Sequence, residues 1–211
     1  MRSRLRLGDQ SGFTLVELLV AAGLSLFVLA SIGGFFRAQS KNVKGQESRM
    51  EAHEYALTVL DTVAREIRNT GYFPKAPCNA TGGVTAASAT SFDLVYDKNG
   101  DGVCVGDDEV VAFAYDSLSK NVTRNGVALS DGNVSAIGFV YYPQQTSGAA
   151  PSPYCVSSGV PAGCSGSLAS NFASVQKIAI SITVEPKSTD SQFTGGPVTM
   201  ALTVDLRNHG T

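Results

Sequence analysis

Phe13-Thr-Leu-Val-Glu17 opens an apolar block that continues to Phe36. As a helix, this block would be about 36 Å long at 1.5 Å per residue, which is enough to cross a bilayer. Three arginines precede it, at Arg2, Arg4 and Arg6. Because basic residues favour the cytoplasmic side of a membrane, the sequence predicts one membrane-spanning helix with its N-terminus in the cytoplasm.

Glu17 is a charged residue inside this apolar block. A lone carboxylate at that depth is costly unless it is paired or neutralised, so intramembrane acids are candidates for a functional role. The alternative is that Glu17 lies near the cytoplasmic interface and reaches water there. Glu17 alone does not decide between the two interpretations.

The string Gly12-Phe13-Thr14-Leu15-Val16-Glu17 resembles the processing site of type IV prepilins and type II secretion pseudopilins. The resemblance implies that residues 1–12 are a leader peptide and that a prepilin peptidase cuts between Gly12 and Phe13. The new amine of Phe13 would then be methylated. Glu17 would pair with the Phe13 amine of a neighbouring subunit, because a buried acid needs a cationic partner.

The same resemblance implies where the protein acts and with what. The precursor would sit in the bacterial inner membrane, and the mature chain would join other pilins in a helical filament running from the periplasm to the cell surface. An inner-membrane pilus assembly platform would be its further partner. A rival interpretation is an ordinary secretory signal ending at Val28-Leu29-Ala30, with a soluble mature chain starting at Ser31.

A second, amphipathic half of the helix is expected over residues 37–71. Its apolar positions recur in steps of three and four, at Met50, His53, Leu57, Leu60, Ala64 and Ile67, and Ala56 and Val63 widen the stripe. Such a stripe predicts one buried face. The helix should end at Asn69-Thr70-Gly71, with Gly71 closing it.

Residues 72–211 are expected to form a globular antiparallel β domain. Strands are predicted at 91–96, 109–115, 134–142, 175–184 and 198–206, of which the last two alternate strictly between apolar and polar residues. One buried sheet face needs a cover. The predicted fold class is therefore α+β, the pilin fold, in which the half of the helix at 37–71 packs on the sheet while 13–36 spans the membrane.

Four cysteines lie beyond the apolar block, at Cys78, Cys104, Cys155 and Cys164. None forms a CxxC pair, so a zinc site has little support. In an exported domain an even number of cysteines favours disulfides. Three pairings are possible, and we favour Cys155–Cys164, which closes a short loop within residues 143–171, together with Cys78–Cys104.

Residues 97–108 resemble a calcium-binding loop. The proposed ligands are Asp97, Asn99, Asp101, the carbonyl of Val103, and Asp108, at the first, third, fifth, seventh and twelfth positions. The twelfth position departs from the usual glutamate, and Glu109 follows one place late. A β connection is the alternative, because Asn-Gly and Asp-Gly favour tight turns.

The function expected is structural. The string Ile67-Arg-Asn-Thr-Gly71-Tyr72 resembles a sequence found in PilW/PulJ-type minor pilins, which implies a role in filament assembly or initiation. The alternatives are a minor pseudopilin of type II secretion, or a tip module that displays residues 143–171 for adhesion or DNA capture. No catalytic motif is found in the sequence, and the net charge of -2 gives no reason to expect nucleic acid binding.

Overall fold

The computed structural model describes residues 12–75, 77, 78, 82–144, 150–156, 163–168, 172–187 and 196–207. Within these ranges it contains one α-helix, α1 (Leu15–Asn69), and a short 3₁₀ helix at Phe172–Ser174. The strands are β1 (Val84–Ala87), β2 (Ser91–Val95), β3 (Val110–Asp116), β4 (Asn121–Arg124), β5 (Val127–Ala128), β6 (Val134–Pro143), β7 (Val175–Val184) and β8 (Val198–Asp205). The class is α+β, as predicted.

The described residues divide into two units, one that runs up to Gln46 and one that starts at Glu47. The first unit is helical from Leu15 onward, and every residue described in it except Gly45 is exposed. The second unit holds the rest of α1, both sheets and the whole buried core.

The helix ends where the sequence predicts. The last helical residue is Asn69, and Gly71 follows with a positive φ of 73°. Glycine adopts this left-handed conformation without steric penalty. The backbone N–H of Gly71 donates to the carbonyl of Val95 at 3.0 Å, so the turn that closes α1 also ties it to the end of β2.

The strands form two antiparallel sheets, whereas one sheet was expected from the sequence pattern. The first sheet has the order β1-β2-β3-β4-β5, and the second has the order β6-β7-β8. The chain leaves the first sheet after Ala128 and turns at Gly132, which has a φ of 70° and donates its N–H to Asn121 Oδ1 at 2.5 Å. This turn lies directly before β6, the first strand of the second sheet.

The two sheets share one core with the second part of α1. The rings of Phe92 on β2 and Phe139 on β6 meet edge to face with centroids 4.6 Å apart. On β7, Ile178, Ile180 and Ile182 are all buried and lie opposite Val204, Leu202 and Met200 of β8. The period of two in these strands therefore predicted their buried face correctly.

The helix face that packs in this core differs from the predicted stripe. The buried residues are Ala52, Ala56, Val59, Leu60, Val63, Ala64 and Ile67. Met50 is exposed, Leu57 is 46% exposed and His53 is exposed. The prediction was wrong at these three positions, because the buried face near the start of the second unit is formed by the small residues Ala52 and Ala56. Of these two, Ala56 belonged to the predicted stripe and Ala52 did not.

Both predicted disulfides are present. Cys78 pairs with Cys104 at a Cα–Cα distance of 5.8 Å, and Cys155 pairs with Cys164 at 5.1 Å. These are the pairs that the sequence analysis favoured, and both distances are ordinary for disulfides. Of the predicted loop at 143–171, the stretches 145–149, 157–162 and 169–171 lie outside the described residues.

Candidate functional site

Thr14 and Glu17 form a capping box at the start of α1. The Thr14 N–H and hydroxyl both donate to Glu17 Oε2 at 3.1 Å. The Glu17 N–H donates in turn to Thr14 Oγ1 at 3.3 Å. Each side chain thus satisfies a backbone N–H that the first turn leaves without an intrahelical partner.

The capping box gives Glu17 a role within its own chain that the sequence analysis did not identify. The signal was present, because Thr-x-x-Glu before an apolar run is the sequence signature of such a cap. In addition, a carboxylate in the first turn interacts favourably with the helix dipole. Any role of Glu17 toward a second subunit must therefore be tested separately from its role as a cap.

Gly12 and Phe13 precede the helix, which begins at Leu15. Gly12 has open space around the position of an added Cβ, and Phe13 is 83% exposed. The bond between the two residues therefore lies in non-helical, accessible backbone.

The first part of α1 presents a long apolar surface, in which Glu17 is the one charged residue before Arg37. Large side chains along it are exposed, among them Leu15, Val16, Leu18, Leu19, Val20, Leu24, Leu26, Phe27, Val28, Leu29, Ile32, Phe35 and Phe36. By length and composition this helix could cross a membrane, and none of its most apolar window is buried. An exposed apolar surface of this extent marks a site of interaction with a membrane or with other proteins.

The acidic loop between β2 and β3 is organised around Asp97, which is fully buried. Its Oδ1 accepts the N–H of Gly100 at 2.7 Å, and its Oδ2 accepts the N–H of Gly102 at 2.9 Å. Both glycines have positive φ, 77° and 87°. Asp97 therefore holds the tight turn that the Asn-Gly and Asp-Gly pairs predicted.

Asn99 and Asp101 continue this pattern of short-range bonds. Asn99 Oδ1 accepts the N–H of Asp101 at 2.7 Å, and Asp101 Oδ1 accepts the N–H of Val103 at 2.7 Å. Asn99 Nδ2 also donates to Asp101 Oδ2 at 3.1 Å. The first, third and fifth predicted ligands thus lie together on one turn.

Asp108, the predicted twelfth ligand, lies apart from this turn. Its side chain is 78% exposed and its carboxylate pairs with Lys98 Nζ at 3.4 Å. Glu109 takes the inward position instead: it is 4% exposed, and its oxygens accept the N–H groups of Asn99 at 3.3 Å and Val105 at 3.2 Å. The inward-facing acid is therefore Glu109, which follows the twelfth position of the predicted loop, and not Asp108, which occupies that position.

These donors are hard oxygens of the kind that calcium takes. Among the described residues, however, no group of three or more His, Cys, Asp and Glu side chains is arranged to hold a metal ion. Calcium binding by this loop stays a prediction.

A half-buried ion pair between Arg124 and Glu66 ties the end of α1 to the first sheet. Arg124 on β4 donates from Nε to Glu66 Oε1 at 3.1 Å, and Tyr96 donates its hydroxyl to Glu66 Oε2 at 2.8 Å. Burial, and to a smaller extent the hydrogen bond to Glu66, raises the pKa of Tyr96 to about 12. Removal of one partner would leave the other charge only partly solvated, which is unfavourable. The three side chains therefore fix the helix end on the sheet.

Comparison with known proteins gives one match. Residues 7–33 match the prokaryotic N-terminal methylation motif. No curated protein and no solved structure matches the chain. The matched residues include Gly12, Phe13 and the capping box, and they extend through most of the exposed apolar surface. The chain therefore carries a type IV pilin-like N-terminal methylation motif at the point where its apolar helix begins.

Proposed function

We propose that this chain is a structural subunit of a type IV pilus, a minor pilin involved in filament assembly or initiation. The observation that carries the proposal is the methylation motif at residues 7–33, which coincides with the start of a helix whose apolar side chains are exposed. A soluble protein could not keep such a surface in water without aggregating. A membrane before assembly and neighbouring subunits afterwards provide two successive covers for it.

Processing at the Gly12–Phe13 bond comes first in this scheme. A prepilin peptidase needs an accessible peptide bond, and both residues precede the helical part of the chain. The cut leaves the amine of Phe13 immediately before the capping box. Methylation keeps this amine cationic and adds a small apolar group.

Assembly would then bring Glu17 of one subunit to the Phe13 amine of the next. As helices pack together, the Glu17 carboxylate loses contact with water, and a buried carboxylate is stable only with a partner. The cap uses Oε2, which accepts both Thr14 groups. Oε1 is thus available, among the described contacts, for the cationic amine.

The membrane state follows from the same surface. The helix would cross the bacterial inner membrane once with its N-terminus in the cytoplasm, where the peptidase and the assembly platform would meet it. The second unit, with its two disulfides, would lie on the oxidising side, where such bonds persist.

Deletion of the gene for this chain in its native host tests this function, and restoring the wild-type gene provides the control. A minor pilin predicts a marked loss of surface filaments with protein secretion unchanged. A minor pseudopilin of type II secretion, which would carry the same motif, predicts normal filaments and lost secretion. Normal filaments together with normal secretion would contradict both. A tip-displayed adhesive or DNA-binding module predicts normal filament number with lost attachment or DNA uptake.

A further inference from the structure

Three cations lie on one face of α1 just beyond the apolar surface. Arg37, Lys41 and Lys44 are spaced by four and three residues and all are exposed. At 3.6 residues per turn they fall within an arc of about 60°. We call these three residues the basic stripe. Residues 37–46 contain no acid, and the first one beyond them is Glu47.

The stripe begins directly where the apolar surface stops. Arg37 follows Phe36, and Lys41 and Lys44 lie five and eight residues beyond Phe36. At 1.5 Å per residue these positions rise about 1.5, 7.5 and 12 Å past the last apolar side chain. The headgroup region on each side of a bilayer is about 5–8 Å thick. A helix that buries residues up to Phe36 in hydrocarbon thus carries its cations through the headgroup layer and just outside it.

We propose that the basic stripe binds the phosphate groups of anionic phospholipids in the leaflet where the helix leaves the bilayer. This rests on the membrane-anchored precursor proposed above. Long basic side chains near the end of a membrane helix extend along it to reach the headgroups. Each cation near an anionic surface favours the bound state by about fivefold, so three give roughly a hundredfold.

The stripe has a consequence for assembly. A pilin has to leave the membrane when it enters a filament, so its lipid contacts have to be reversible. Three charge contacts of this strength hold the helix at a fixed depth and still release it. They also restrain its rotation, because all three cations lie on one face.

The test uses the mature full chain reconstituted into vesicles of phosphatidylglycerol and phosphatidylcholine in equal amounts. The chain is recovered in detergent, and mass spectrometry gives the ratio of the two lipids that remain on it. The variant carries Arg37→Gln, Lys41→Gln and Lys44→Gln together. The control carries Lys98→Gln, Lys120→Gln and Lys187→Gln, which make the same change of charge in exposed ion pairs of the second unit.

The wild-type chain and the control are expected to retain phosphatidylglycerol in clear excess over phosphatidylcholine. In the stripe variant the ratio of retained phosphatidylglycerol to phosphatidylcholine is expected to fall at least tenfold. If the stripe variant retains the two lipids in the wild-type ratio, the proposed phospholipid site is refuted. If the variant retains that lipid ratio and, when expressed in the native host, fails to enter filaments, the proposal is also refuted. The stripe would then contact an acidic surface of a neighbouring subunit instead of lipid. If neither the wild-type chain nor either variant associates with the vesicles, the proposed membrane anchor is refuted as well. That outcome differs from a loss of lipid preference alone, in which all three chains still associate with the vesicles.

Discussion

Substitution of Glu17 by glutamine separates the two roles that this residue has in our account. Within the chain, Glu17 caps the helix through Oε2, which accepts the Thr14 N–H and hydroxyl at 3.1 Å. Between chains, it is proposed to neutralise the Phe13 amine. Glutamine keeps an acceptor oxygen for the cap, since both Glu and Gln serve in capping boxes, but it cannot neutralise a cation.

The two effects differ enough in size to be distinguished. The cap in Glu17→Gln should lose only its charge interaction with the helix dipole, which is about 0.3–1 kcal/mol. An amine left without its counter-charge in the filament interior costs about 3–5 kcal/mol. The second figure corresponds to a loss of incorporation of roughly a hundredfold or more.

The assay compares wild-type and variant chains expressed at equal levels in the native host. Immunoblots of whole cells give the processed fraction, and sheared filaments give the incorporated fraction. We expect Glu17→Gln to be processed normally and to be nearly absent from filaments. Thr14→Val is the matched control: it removes the hydroxyl that bonds with Glu17 but keeps the charge, so it should enter filaments at close to the wild-type level.

Two results would refute this reasoning. Wild-type incorporation of Glu17→Gln would mean that the charge of Glu17 is not needed. Loss of incorporation in Thr14→Val, with processing intact, would mean that the cap explains the requirement for Glu17.

Three further predictions concern the second unit. Gly83→Ala should lower its stability by about 1–3 kcal/mol in thermal unfolding, because an added Cβ would lie 2.5 Å from Gly71 N and also meet the Thr70 side chain. The raised pKa of Tyr96, from 10.0 to about 12, means that the folded state favours the neutral phenol. Its contribution to stability is therefore complete below pH 10 and is lost as the pH rises through about 12, so Tyr96→Phe should flatten the fall of the urea midpoint over that range. If the acidic loop binds calcium, about 1 mM calcium in place of a chelator should raise Tm in the wild type but not in Asp101→Ala.

Each of these predictions has a control. Gly196→Ala meets nothing within 4 Å and should leave Tm unchanged, so an equal loss in both glycine variants would point away from the contact with the helix end. An unchanged alkaline slope in Tyr96→Phe would mean that other groups govern that range. Equal melting of the wild-type chain with calcium and with chelator would exclude calcium as a ligand that stabilises the fold.

The sequence was sufficient for the elements with strong periodicity. The predicted end of α1 at Gly71, both bounds of β7 and the start of β8 agree with the structure. In these segments the period of the apolar residues and the turn chemistry indicate the same structure. The two disulfides were predictable once export was assumed, because the remaining choice was among three pairings.

Other features depend on tertiary contacts that no local pattern reports. The strands β1, β4 and β5 are short and were missed, since four or fewer residues carry little alternation. The burial of Ala52, and the exposure of Met50 and His53, depend on how closely the sheets approach the helix, which the sequence pattern does not report. The inward position of Glu109 likewise depends on a loop path in which Gly106 has a φ of 90°.

Intact mass and N-terminal analysis of the mature protein from its native host would show directly where the chain is processed. We expect a chain that begins at Phe13 with a methylated amine and retains Glu17 and the apolar helix. A chain that begins at Ser31 would contradict this expectation, because cleavage there removes Glu17 and most of the apolar surface and releases a soluble exported domain.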